Sequence, residues 1–376
     1  MAIYKIFPEK DASIYSEFPL LNTGLDEILS VSTYYNTLSP SVSRFLIKFS
    51  SNEIEDIIDN KISGSNFQSN LKCFIANVTG LNSDTTLEVY PVSGSWNMGT
   101  GRYANNPQTT NGVGWTYRAS NGVKAWPSSF TSYVTASYSG SNIGGGTWYT
   151  GSDLNLNVTA SQILNYSSDK DLNVNVTNTI LTWYSSSNNL GGFPNDGFIV
   201  KQSNEDEFIA DSNYVTTVDY FSIDTHTIYP PQLEFKWDDF TFNTGSSTNT
   251  IIDTSRLVAT LDNNAGVYRR GSIEKFRINS RPQFPQRIFQ TASVYTTNYY
   301  LPTSSYYAIK DLDTNEFVID FDTTYTKISA DGESSYFTLY MNGLEPERYY
   351  EILIKTEIGG EVLVLEDNYY FKIING

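Results

Sequence analysis

Apolar and polar residues alternate in short runs along most of this chain. The first fifty residues hold four such runs, Ala2-Ile-Tyr-Lys-Ile-Phe7, Ser13-Ile-Tyr-Ser16, Glu27-Ile-Leu-Ser-Val-Ser32 and Arg44-Phe-Leu-Ile-Lys-Phe49, with turn material such as Asn22-Thr23-Gly24 between them. A period of two sends successive side chains to opposite faces of a strand, so the pattern predicts a β-sandwich or a barrel edge. Residues 71–78 and 86–92 continue it. Residues 51–62 break it, with isoleucines at 54, 57, 58 and 62. That spacing predicts a helix capped by Ser51 or Asn52, with acids in its first turn. A shorter helix is predicted over 178–184, capped by Thr177 or Asn178.

Beyond residue 253 the alternation becomes denser, with strands predicted at 256–261, 272–278, 305–309, 317–322, 336–341, 349–356, 361–366 and 369–374. Turn signals such as Ala330-Asp331-Gly332 and Ile358-Gly359-Gly360 separate them. Roughly seven strands in this length suggest an immunoglobulin-like sandwich. The strand predicted from Leu233 to Phe242 runs into Asn243-Thr-Gly-Ser-Ser-Thr-Asn-Thr250, where composition also changes: every Trp lies before this stretch, and Tyr dominates after it. The division expected is therefore a domain over 1–243, a linker over 244–252 and a second domain over 253–376.

Composition sharpens this all-β reading. Aromatic residues make up 15% of the 376 residues, with 28 Tyr and 21 Phe, which favours strands. A net charge of −17 repels phosphate backbones, so nucleic acid is not an expected partner. The single cysteine, Cys73, has no partner for an intrachain disulfide and reads as a buried strand residue. The N-terminus lacks a secretion signal and no run is long and apolar enough for a membrane span, so synthesis and retention in a cytoplasm are expected, without membrane insertion. On that expectation the sequons at Asn77, Asn157 and Asn175 are chance products of an Asn- and Thr-rich chain.

Candidate chemistry is sparse. The one histidine, His226, has no Gly-x-Ser-x-Gly elbow to serve and reads as a structural or surface residue. Asp238-Asp239 and the pair Asp320 and Asp322 are the nearest approach to a two-carboxylate site, the latter two on one face of a predicted strand. Asn22, Gly24 and Asp26 suit either calcium ligation or a turn, and the turn is the simpler reading. Gly99-Thr-Gly101 and Gly144-Gly-Gly146 are not followed by a helix, so they read as flexible turns and not as phosphate cradles. Trp96, Trp115, Trp126 and Trp148 lie in a long Gly-, Ser- and Asn-rich stretch, which folds them over a sandwich edge or exposes them to stack sugars. Asp153-Leu-Asn-Leu-Asn-Val-Thr and Asp171-Leu-Asn-Val-Asn-Val-Thr repeat each other and read as paired strands. The sequence assigns no catalytic, cofactor-binding or metal-binding residue, and no cofactor.

Several of these segments resemble known families. Asp11-Ala-Ser-Ile-Tyr-Ser16, Asn22-Thr-Gly24, Ser43-Arg-Phe-Leu-Ile-Lys-Phe49, Val92-Ser-Gly-Ser-Trp96, Gly112-Val-Gly-Trp115 and the stretch from Asp171 to Trp183 are similar to a DNRLRE-type domain. The resemblance implies a jelly-roll sandwich related to carbohydrate-binding modules, spanning most of residues 1–240. In the C-terminal half, Val267-Tyr-Arg-Arg-Gly-Ser, Ser304-Ser-Tyr-Tyr-Ala-Ile-Lys-Asp311, Val318-Ile-Asp-Phe-Asp322 and Gly343-Leu-Glu-Pro-Glu-Arg-Tyr-Tyr350 resemble virion structural proteins of T-even-like contractile-tailed phages of marine bacteria. That resemblance implies a non-enzymatic building block of a neck, tail or baseplate, assembled in the host cytoplasm and docked on other virion proteins and on copies of itself. The alternative is an adhesion protein of the virion that binds a host-surface glycan.

Overall fold

The computed structural model describes residues 2–36, 39–63, 66–81, 83–120, 122–127, 134–135, 144–150, 157–209, 211, 213–245, 257–284 and 298–376. The chain is an all-β sandwich protein. It divides into two compact units: the larger comprises Ile6–Lys61 and Gln68–Glu234, the smaller Met1–Lys5, Ile62–Phe67 and Phe235–Gly376. Most of the expected linker, 246–252, lies outside the described residues, as do 153–156 of the first Asp-Leu-Asn repeat.

Strand β1 (Ala2–Ile6) opens the chain, followed by β2 (Lys10–Tyr15), β3 (Ile28–Asn36), β4 (Ser39–Lys48), helix α1 (Ser51–Asn60), β5 (Phe67–Cys73), β6 (Ile75–Thr79) and β7 (Thr85–Pro91). A short ladder of β8 (Val134–Thr135) and β9 (Trp148–Tyr149) precedes β10 (Ala160–Leu164), β11 (Leu172–Asn175), helix α2 (Thr177–Ser187), β12 (Phe198–Gln202), the one-turn helix α3 (Asn204–Glu207), β13 (Val215–Phe221) and β14 (Gln232–Trp237). In the larger unit one antiparallel sheet runs in the order β10-β7-β12-β4-β3-β13-β6, with β2 added alongside β4. Strand β12 is buried along its whole length, as a central strand covered on both faces should be. One face carries Ala12, Ile14, Val42, Leu46 and Ile199, covered by tryptophans. The opposite face carries Phe45 and Phe198, against Tyr220 and against Trp183 of α2.

The α1 helix forms as its isoleucine spacing requires, with Ile54 and Ile57 buried, but its capping differs from expectation. Ser50 occupies the cap position without a side-chain bond, and Ser51, inside the helix, accepts from Asn195 Nδ2 at 3.1 Å. At α2, Asn175 Oδ1 takes the amide and hydroxyl of Thr177, so the capping oxygen comes from two residues upstream. The strand expected over 71–78 is two strands. It breaks at Phe74, where the Phe74 carbonyl accepts from Phe221 N and the Ile75 amide donates to Asp171 Oδ1 at 2.8 Å. Strand β5 then pairs with β11, and β6 with β13.

The smaller unit contains β15 (Leu257–Asp262), β16 (Val267–Arg269), β17 (Ile273–Pro282), β18 (Ser305–Asp311), β19 (Phe317–Ile319), β20 (Ser329–Ala330), β21 (Ser335–Tyr340), β22 (Tyr349–Ile358) and β23 (Glu361–Ile374). They form a sheet of order β15-β17-β21-β20 and another of order β16-β23-β22-β18-β19. Every pair is antiparallel except β16 with β23. With the short β16 and β19 set aside as additions, the other seven strands follow the order of an immunoglobulin-like sandwich: first, second, fifth and fourth in one sheet, third, sixth and seventh in the other. Tyr350, at the start of β22, donates its hydroxyl to the Glu345 carbonyl at 3.0 Å, which is the tyrosine corner of that fold. The core stacks rings across the sandwich: Tyr307 on Phe337 at 4.3 Å and Phe337 on Phe276 at 5.3 Å. The two strands expected at 361–366 and 369–374 are one strand, β23, which bends through a pairing irregularity and a positive φ of 56° at Asn368.

Candidate functional site

Among the sequence features that pointed to chemistry, the tryptophan cluster is the largest. Trp96, Trp115, Trp126 and Trp148 are all buried, packed on Val42, Leu46 and Ile199 as a core layer. Two of the indole nitrogens are used inside the protein: Trp96 donates to the Asp196 carbonyl at 2.8 Å and Trp126 to the Gly114 carbonyl at 3.1 Å. These tryptophans therefore offer no exposed platform to a sugar.

Beneath them lies a buried charged network that the sequence did not announce. Arg44 points from β4 into the tryptophan face, its guanidinium 5.0 Å from the Trp115 ring and 5.4 Å from the Trp148 ring. It grips Glu207 of α3 through two bonds, of 2.8 and 2.7 Å, and donates to the Gly145 carbonyl at 2.5 Å. Both partners are fully buried. Lys201 of β12 joins at 3.7 Å from Glu207 and 3.1 Å from Glu88, and burial lowers its pKa. A buried charge without its partner costs several kcal/mol, so this network fixes where α3 and the Gly144–Gly146 turn can sit.

A second polar centre surrounds Asn22. Its side chain donates to the carbonyls of Met98 (2.6 Å) and Val113 (2.9 Å) and accepts from Gly101 N at 2.8 Å. Glycines at 24, 99, 101 and 112 make room for this packing. A Cβ at Gly112 would stand 2.5 Å from Asn22 Nδ2, and one at Gly24 2.1 Å from the Met98 carbonyl. Asn22, Gly24, Gly99, Gly101 and Gly112 thus form one packed knot. Gly99-Thr-Gly101 is not a flexible turn, and neither is Gly144-Gly-Gly146: the Gly145 amide donates to the Trp115 carbonyl at 2.7 Å, and a Cβ on Gly144 would reach 2.4 Å from that carbonyl.

The remaining candidates are dispersed. His226 is exposed in the turn after β13. Asp238 accepts from Phe240 N at 2.8 Å. Asp320 and Asp322 lie beyond the end of β19, so they do not share a strand face; Asp322 caps a turn by accepting from the amides of Thr324 and Tyr325. Asp26 accepts from Tyr103 N at 3.1 Å. Among the described residues no three His, Cys, Asp or Glu side chains gather as a metal site, and no helix is long and apolar enough to cross a membrane. Cys73 is buried, and burial holds its thiol well above the ordinary range. The most perturbed carboxyl is that of Asp11, raised to about 7 by burial, against an opposing bond from the Ile223 amide and with added repulsion from Asp224.

No protein-family profile matches this chain, and no curated protein does. Two solved structures are weakly similar. A DUF4785 family protein from Legionella pneumophila aligns at 10% identity and a TM-score of 0.18, over 98% of this chain and 66% of that one. A β-glucuronidase from Parabacteroides merdae aligns at 9% identity and a TM-score of 0.17, over 96% of this chain and 35% of that one. The chain thus spans just under two thirds of the first and about a third of the second.

Proposed function

We propose that this protein is a non-enzymatic structural component of a contractile-tailed phage particle, in its neck, tail or baseplate, and that it works by docking on neighbouring subunits, copies of itself included. The observation that carries the reading is the outward face of the sheet containing β16, β23, β22, β18 and β19. Tyr350, Ile352 and Ile354 of β22 point into the core, so the alternate residues Tyr349, Glu351, Leu353, Lys355 and Glu357 lie on the opposite face, where Leu353 is covered and Tyr349 and Glu357 are exposed. Lys372 stands between Val267 and Tyr349 on the neighbouring strands, Tyr370 opposite Glu351, Val364 opposite Lys355 and Val362 opposite Glu357. Val267, Tyr349, Val362, Val364 and Tyr370 are all exposed. Apolar side chains interleaved with charges on a rigid face suit a subunit interface, where the apolar groups supply burial and the charges set register.

The resemblance of the 267–350 segments to phage structural proteins supports the same reading, and it is what selects a virion over other assemblies. Particles purified from an infected culture expressing this chain are expected to contain it in stoichiometric amounts by mass spectrometry. Purified particles without it overturn the reading.

A further inference from the structure

Lys201, near the end of β12, is a buried amine that docking on a neighbour does not use. Its side chain is 1% exposed, and its nitrogen lies 5.7 Å from the Trp148 ring. That nitrogen donates to the Gln202 carbonyl, to Glu88 Oε2 at 3.1 Å and to Asn204 Oδ1 at 3.2 Å, and it stands 3.7 Å from Glu207 Oε2. The surrounding backbone is fixed against β7. Ser203 N donates to the Thr86 carbonyl at 2.8 Å, and Thr86 N to Asp206 Oδ2 at 2.9 Å, so the turn that carries Asn204 is pinned at both ends. Arg44 holds Glu207 in place through its two bonds.

A buried lysine that faces carboxylates alone is an ion pair. This one also faces a carboxamide, and together the groups are the parts of an amide exchange: a nucleophilic amine, an acyl carbon bearing a nitrogen leaving group, and a carboxylate base within hydrogen-bond reach. Burial lowers the Lys201 pKa, against the opposing pull of Glu207, so the neutral amine is easier to reach than at an exposed lysine. The same burial keeps water from the nitrogen, which limits hydrolysis as the competing reaction. A turn of the carboxamide about the Asn204 Cβ–Cγ bond presents the face of Cγ to Nζ in place of Oδ1. Asn204 itself is exposed, which leaves ammonia a way out.

We propose that Lys201 and Asn204 join in the folded chain through a self-formed isopeptide bond between Nζ and Cγ, with Glu88 as the base. Glu88 takes one proton from the ammonium, and the free amine adds to Asn204 Cγ while Glu207 stabilises the positive charge on Nζ. The second proton passes from Nζ to the departing Nδ2, the Cγ–Nδ2 bond breaks, and ammonia leaves with the proton held by Glu88, as ammonium. One amide replaces another, so no oxidant, reductant or co-reactant enters. The product ties the start of α3, the helix that carries Glu207, to the end of β12. It does not depend on whether the protein belongs to a virion.

The test is mass spectrometry of the full chain, intact under denaturing conditions and after trypsin. The parent is expected about 17 Da, one ammonia, below the mass of its unmodified sequence. Trypsin is expected to leave residues 171–236 as one peptide carrying that loss, because an amidated Lys201 is not cleaved. Asn204→Ala and Lys201→Arg are each expected to abolish the loss, and Glu88→Gln to leave a larger unreacted fraction. Asn204 is exposed, so its replacement leaves the fold in place, as calorimetric melting would show. A cyclic imide formed at Asn204 alone loses ammonia too, but it leaves Lys201 open to trypsin and persists in Lys201→Arg. A parent at full sequence mass overturns the proposal. So does a loss that survives in Lys201→Arg, or cleavage after Lys201 in the lighter species.

Discussion

Individual side chains in the larger unit carry more of the architecture than their number suggests. Arg44 and Glu207 are 163 positions apart and meet in full burial through a two-bond pair. Replacing Glu207 with Gln leaves the Arg44 charge buried with one weaker partner, and is expected to destabilise the chain by about 3–5 kcal/mol in urea unfolding. Replacing both together, Arg44→Met with Glu207→Leu, is expected to cost less than the single change, because the guanidinium is gone and Lys201 keeps Glu88 as its partner. Asp11 gives the opposite lesson. Its carboxyl rises from 3.8 to about 7, so the folded chain holds that proton more tightly than the unfolded one. The stability this supplies is complete below about pH 4 and is lost as pH rises towards 7, with an upper limit of about 4 kcal/mol. Asp11→Asn is expected to flatten that decline and to melt higher than the parent at pH 8, as calorimetry would read.

Residue chemistry was the least legible level of the sequence. The tryptophans were visible as a cluster, yet whether an indole packs inward or outward depends on what lies beneath it. Here that is the Val42, Leu46 and Ile199 face, which alternation alone could not orient. Arg44 stands beside the apolar run Phe45-Leu46-Ile47, but its partner lies in a helix of four residues that no periodicity reveals. Asn22 and its glycines were readable only as separate turns. Asn22→Ala, which deletes bonds to Met98, Val113 and Gly101, is expected to cost about 2–4 kcal/mol.

At the scale of elements, alternation located most strands because period two is a direct consequence of burying one face. It failed where two strands adjoin without a turn residue. Residues 71–78 contain no Gly or Pro to mark a break, and the change of sheet at Phe74 is imposed by partners far away, Asp171 and Phe221. It also divided β23 in two at 367–368, where the pairing with β22 is interrupted and resumes on either side, at Leu365 with Ile354 and at Tyr369 with Ile352. The motif Gly343-Leu-Glu-Pro-Glu-Arg-Tyr-Tyr350 gains a physical meaning at this scale, since it contains the tyrosine corner and Arg348, which grips Asp311 through two bonds of 2.5 and 2.6 Å. Tyr350→Phe removes one hydroxyl bond and no packing, and is expected to cost about 1 kcal/mol in the unfolding of the whole chain. An unchanged midpoint would mean that the corner contributes nothing to stability.

For the whole molecule, the fold class was legible from composition and period: aromatic, β-branched and short on helix formers, the chain builds its cores from strands. The immunoglobulin-like order of the smaller unit follows from its strand succession. The proposed function is less legible because docking surfaces have no residue signature comparable to a catalytic triad; they are faces, assembled from alternate residues on strands far apart in sequence. The central claim concerns such a face, and reconstruction of an intact particle by electron cryo-microscopy tests it most directly. The account predicts that this chain is traced in symmetric copies, with Val267, Tyr349, Val362, Val364 and Tyr370 buried against a neighbouring subunit. Particles whose density excludes the chain, or in which that face meets only solvent in every copy, would contradict it.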